Sequence, residues 1–200
     1  MDLLGFFLNQ HAAVHGRAVS GRAFLAERVL GEPTGEQMRA RPGPGLNSLV
    51  WLVWHMARTE DVAVNLVVAR REQVLDDGWL RRMNVPWRDI GTGMTEAEVA
   101  EMTAGADVDA VRAYRTAVGV RTREVVPALP AGAWDEIIGH EDIERAAATG
   151  AFRDWVAGAA YPWLGWSRGD QISSSAIRHN AGHLGEAVTI RGLAGFGLAI

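Results

Sequence analysis

The chain has 200 residues, 48% apolar and 22% charged, with a formal net charge of −4, enough for one compact domain with a sizeable core. An acidic balance without a basic stripe excludes the electrostatic footprint of a nucleic-acid binder. No stretch approaches the roughly 18 uninterrupted apolar residues of a membrane span. Cysteine is absent, so any metal must be held by His, Asp or Glu. All twenty cationic side chains are Arg, which carries no functional message. Asp2 stands where a signal peptide carries positive charge, and a cytoplasmic location is the expectation.

In chain order, a first helical pattern runs from about Leu3 to Leu30, with Leu4, Phe7, Leu8, His11, His15, Ala18 and Leu25 near one face. Gly31 and Pro33 break it, and Arg41–Gly45 (RPGPG) turns the chain. Asn47 or Ser48 can cap a second helix reaching about Arg71. Its apolar face is Trp51, Leu52, His55, Thr59, Val62, Leu66 and Ala69, which puts Glu60 and Asp61 on the opposite, solvent side. A long linker follows, with a short capped helix at Thr95–Met102. A third helix covers about Asp107 to Leu129, ended by Pro127 and Pro130. A second linker carries an expected helix at Phe152–Tyr161. The fourth long helix starts near Asp170 as N-cap and ends around Gly192 as C′ residue. Strand-like alternation is nowhere sustained. The expected fold is an all-α four-helix bundle with long crossovers carrying short extra helices.

The inward face of the fourth helix is Ile172, Ala176, His179, His183, Ala187 and Ile190, with Glu186 at its edge. His179 and His183, one turn apart, offer a bite for a divalent cation, and His55 from a facing helix completes a three-His site with open positions. Such a site lowers the pKa of a coordinated water or polarises a substrate oxygen or sulfur. Spacing alone leaves an ordinary core hydrogen-bond network equally open. Gly182 and Gly185, poor helix formers, read either as room for a ligand or as close helix or subunit packing.

The pair of segments PGPGLNSLVWLVWHMARTED (Pro42–Asp61) and WSRGDQISSSAIRHNAGHLGEAVTIRG (Trp166–Gly192) resembles the DinB-like (DinB/YfiT) superfamily of metalloenzymes. The shared features are a His midway along helix two, then H-x3-H followed by G-E on the last helix. The resemblance implies a single domain over residues 1–200, a bundle of up-down-down-up topology, and zinc or nickel held by His55, His179 and His183. It also implies a homodimer. By the same resemblance the activity is that of a metal-dependent S-transferase or isomerase using a low-molecular-weight thiol such as mycothiol or bacillithiol on a small-molecule substrate.

Glu186 is the candidate catalytic residue, as proton acceptor, as the partner that orients an imidazole, or as a fourth ligand; an ordinary surface contact is the plain alternative. Asn180 is a candidate ligand contact or a polar helix edge. His11 and His15 repeat the i, i+4 spacing and are the rival metal pair, or core and pocket residues able to titrate near neutrality. His140 is expected to be exposed. Trp79, Trp87, Trp134, Trp155, Trp163 and Trp166 either roof a pocket or staple the crossovers to the bundle. Arg168 and Arg178 are candidates for an acidic thiol's carboxylates, with Arg178 facing away from the metal. Besides the enzyme, the alternatives are a metal-dependent hydrolase, a non-catalytic metal- or ligand-binding stress-response module, a structural bundle with a histidine network, or bis-His haem ligation without a c-type attachment motif. A melting temperature unchanged by zinc or chelator marks the structural protein, because a ligand that binds only the native state must stabilise it.

Overall fold

The computed structural model describes residues 2–153 and 163–197. Among them the protein is all-helical, with a lone antiparallel bridge between Ile137 and Ser167. No helix there is long and apolar enough to cross a membrane.

The first helical pattern is broken into three. α1 (Leu3–His15) stops at Gly16, whose φ of 86° is a conformation that residues with a Cβ avoid. α2 (Arg17–Ser20) and α3 (Leu25–Leu30) follow, so Ala18 is exposed rather than in line with His11 and His15. α4 (Gly35–Arg39) leads to α5 (Leu49–Asp61), and Ser48 supplies the N-cap, its Oγ accepting from Trp51 N. α5 runs directly into a π-helical turn, Val62–Val68.

α6 (Asp77–Met83), α7 (Glu96–Gly105) and α8 (Val108–Val125) come next. Thr95 and Glu98 form a capping box on α7, the expected short capped helix, and Asp107 caps α8. α9 (His140–Ala147) packs on the π-turn after α5. The final helical stretch starts earlier than expected. Ser167 is the N-cap, its Oγ accepting from Asp170 N at 3.0 Å, so Asp170 lies inside the first turn. The stretch comprises α10 (Arg168–Ser173), a second π-helical turn (Ser174–Arg178) and α11 (His179–Leu193). It therefore passes Gly192 instead of ending there. The helix expected at Phe152–Tyr161, with Trp155, lies almost wholly outside the described residues.

α5 is the hub. It packs along α8 and against α11, while α1 touches both α8 and α11. Every residue from Leu49 to Val68 is buried, so α5 has no solvent side. The expectation that Glu60 and Asp61 face solvent is wrong: each is 0% exposed. The two carboxyl groups tolerate burial because their oxygens are hydrogen-bonded. Asp61 accepts from Tyr114 Oη (2.6 Å), Arg58 Nη1, Asn65 Nδ2 and the amides of Val74 and Leu75. Glu60 accepts from His11, His15, Thr122 and Asn180, one or more donors from each of the other three long helices. A wholly buried central helix must meet its neighbours through polar residues as well as apolar ones, and periodicity counts just the apolar ones.

Candidate metal centre

His55 sits midway along α5 and is buried. His179 opens α11 directly after the π-turn, and His183 follows one turn later. The three rings meet like blades, at 63°, 83° and 79° to one another with centroids 4.5–4.9 Å apart. Their Nε2 atoms form the apex: His179 to His55 is 3.0 Å and His183 to His179 is 3.2 Å. A tetrahedral ion about 2.1 Å from each nitrogen needs separations of roughly 3.4 Å, a few tenths more.

The outer nitrogens decide what the apex carries. His55 Nδ1 bonds to the Ile90 carbonyl, which can just accept, so the proton is on Nδ1 and Nε2 is bare. His183 Nδ1 donates to Glu186 Oε2 at 2.7 Å, which leaves its Nε2 bare too. Two lone pairs thus point at one spot beside a third nitrogen. A proton on His179 Nε2 can bridge one pair and leaves the other bare, while His179 Nδ1 is buried without a partner. Unsatisfied buried groups cost ~1–3 kcal/mol each, and one cation at the apex relieves both Nε2 atoms. Burial favours the neutral, ligating form: it lowers His55 to about 4, the Ile90 bond offsetting part of this. It lowers His179 to about 3, helped by the two neighbouring imidazoles. Glu186 is held below its ordinary value, chiefly by the His183 bond, and stays ionised.

The surroundings are uneven. Trp51 stacks on His55 at 4.6 Å, tilted by 18°, and Trp51 Nε1 meets Met94 Sδ. The His183 and Glu186 side chains are 22% and 32% exposed and form the open side. Asn47 Nδ2 donates to Glu186 Oε1 at 3.0 Å, which braces the carboxylate from the loop before α5.

A second cluster of ligand-type groups lies among the described residues: His11, His15 and Glu60, all buried. His11 Nε2 reaches Glu60 Oε1 at 2.9 Å and His15 Nε2 reaches Oε2 at 2.8 Å. Burial lowers His15 to about 4 even with Glu60 opposing it. Burial alone would raise Glu60, but the two imidazoles hold its carboxyl well below the usual range. The carboxylate is therefore ionised and both imidazoles donate to it through Nε2–H.

Other candidates separate cleanly. Asn180 is not a helix edge: it is 0% exposed and donates to Glu60. Gly182 and Gly185 are exposed, and a Cβ on either would meet nothing within 4 Å, so they make neither ligand room nor a close contact within the chain. Arg178 is exposed, whereas Arg168 is buried and paired with Glu136 at 2.8 Å. Trp163 packs in a core cluster beside α9, and Trp79 packs against Tyr114. Among the described residues, the tryptophan stacked at the three-His site is Trp51, already on a main helix. Residues that periodicity did not single out are Ile90, whose carbonyl fixes His55, and Asn47. Asn47 carried a signal as the alternative cap, since Ser48 takes that role and frees it.

The sequence profile of the DinB superfamily matches residues 24–166. That span includes His55 and ends before His179 and His183. No curated protein matches the chain. A solved structure of a conserved protein from Enterococcus faecalis is similar over 96% of this chain and 97% of its own, with a TM-score of 0.69 and 19% identity. That likeness is one of fold.

Proposed function

The chain belongs to the DinB superfamily, and from that premise we propose a metal-dependent enzyme in which His55, His179 and His183 hold one divalent ion, zinc or nickel. The convergence of two bare Nε2 atoms and a third imidazole within 3.0–3.2 Å carries this proposal. We take residues 1–200 as one domain and the long helices as an up-down-down-up bundle.

When bound, the ion supplies Lewis acidity toward a sulfur or oxygen ligand. The residues supply the rest. Ile90 and Glu186 fix the tautomers of His55 and His183, so both offer lone pairs without rearrangement. Trp51 walls off His55 from one side. Both Glu186 oxygens are engaged, by His183 and by Asn47, which suits orientation of an imidazole better than proton transfer. For the reaction we propose S-transfer or isomerisation with a low-molecular-weight thiol of the mycothiol or bacillithiol kind, entering from the His183–Glu186 side.

Elemental analysis of untagged protein, before and after reconstitution, tests the ion: about one equivalent is expected, lost in His55→Ala and His179→Ala. Absence of stoichiometric metal in the unmutated protein overturns the proposal. Cobalt-loaded protein titrated with small thiols should develop a sulfur-to-cobalt charge-transfer band. A loaded protein indifferent to every thiol points instead to a non-catalytic binding module.

A further inference from the structure

The His11–His15–Glu60 cluster has metal-ligand residue types in metal-ligand proximity, yet its protons are arranged the other way round from the three-His apex. There the outer nitrogens of His55 and His183 donate and their inner ones are bare, while His179 Nδ1 has no partner. Here the inner Nε2 atoms donate to a carboxylate, and the outer Nδ1 atoms of His11 and His15 have no partner. Ligation through Nε2 would move each proton to Nδ1, where no acceptor waits and where His15 lies against Gly119.

Charge points the same way. Arg115 is buried beside the cluster, donating to the Val14 carbonyl at 2.7 Å and to Asn180 Oδ1 at 3.2 Å. Glu60 and Arg115 already balance, so a divalent ion would add two uncompensated charges to a buried site.

The cluster reaches the metal centre through one side chain. Asn180, next to His179, donates from Nδ2 to Glu60 Oε2 at 3.1 Å and to the Ser175 and Ala176 carbonyls at 3.1 and 3.4 Å. Those carbonyls belong to the π-turn, and the N–H of His179 closes that turn on Ser174 O. A π-turn inserts a residue into the helical count. Its relaxation to α geometry would turn everything downstream by roughly 100°, swinging His179 and His183 off His55.

We propose that Glu60 and Asn180 are positioning residues of the metal centre: the buried cluster stays proton-filled, takes no ion, and holds the π-turn that aims His179. This rests on the three-His reading above. The test uses the full chain loaded with Co2+. Asn180→Ala should still bind one ion, but roughly 10–100-fold more weakly, with an altered visible d–d spectrum. Thr122→Val removes a Glu60 donor on α8 away from the ligand helix. It should lower the melting temperature and leave cobalt affinity and spectrum unchanged. If Asn180→Ala does not fold, Glu60→Gln, which keeps the shape, should show the same weaker binding and altered spectrum.

Wild-type affinity and spectrum in Asn180→Ala, or in Glu60→Gln where that is the variant used, overturn the proposal. So does a second equivalent of ion in the wild type that His15→Gln removes. If the wild type binds no ion at all, the three-His reading falls and the positioning role with it. An unchanged cobalt site in the variants removes the positioning role alone.

Discussion

Glu186 Oε2 accepts from His183 Nδ1 at 2.7 Å while its Oε1 accepts from Asn47 Nδ2 at 3.0 Å, so one carboxylate ties the loop before α5 to the last imidazole of the candidate centre. The bond holds His183 with its lone pair inward. Glu186→Ala should weaken metal binding by about 10–100-fold. Glu186→Gln, whose amide oxygen can still accept from Nδ1, should lose less. Competition against a chromophoric chelator measures both. Equal affinity in all three proteins would leave Glu186 with no part in holding the site.

An ion bound by the native fold alone must raise its stability, by about 2.7 kcal/mol when free metal is 100 times the Kd. Zinc should therefore raise the melting temperature of the wild type, and a chelator should return it to the metal-free value. His55→Ala should show no zinc response. Retained zinc stabilisation in that variant would move the ion elsewhere in the molecule.

The metal-free protein should lose stability in mild acid. His15 has an ordinary pKa of 6.5 and is lowered to about 4 by burial, so the unfolded chain binds the proton more tightly. Stability is then full above about pH 6.5, falls as pH drops toward 4, and has a steepest slope of roughly 1.4 kcal/mol per pH unit for one such group. His55 and His179, lowered to about 4 and about 3, act with the same sign. Glu60, held well below its usual range, extends the loss further into acid. His15→Gln can still donate to Glu60 and removes one titration. Urea unfolding between pH 4.5 and 7.5 in chelator should give it a shallower slope. An unchanged slope would mean His15 does not titrate on unfolding.

The three imidazoles were legible because their positions follow from helix phase: His55 lies in the apolar run of α5, and His179 and His183 are one turn apart. Chain breaks were less legible. Gly16 and Gly21 interrupt a pattern whose apolar period continues past them, and their positive φ values leave no trace in hydrophobicity. Glu60 was misplaced for a sharper reason. Projection assigns a charge to solvent by default, whereas α5 is enclosed on all sides and its carboxylates are met by donors far apart in sequence, at His11, Thr122 and Asn180. The π-turns are equally silent, because an inserted residue alters phase without altering composition.

Two helical glycines that look alike in sequence should respond to alanine with opposite signs. Gly182 lies exposed on α11 and a Cβ there meets nothing within 4 Å, so Gly182→Ala should gain about 1 kcal/mol from helix propensity. Gly119 lies buried on α8, and its Cβ would stand 2.6 Å from His15 Nδ1, 2.8 Å from His15 Cε1 and 2.9 Å from Val19 Cγ2. None of these is the free end of a long chain, so His15 or α2 must move. Overpacking of this kind costs roughly 1–3 kcal/mol, which exceeds the propensity gain and makes Gly119→Ala destabilising. Melting curves of the two variants give the comparison. Sedimentation of Gly182→Ala adds a second reading, because a homodimer packed through that exposed face would dissociate. A more stable protein of unchanged mass would leave the face to solvent.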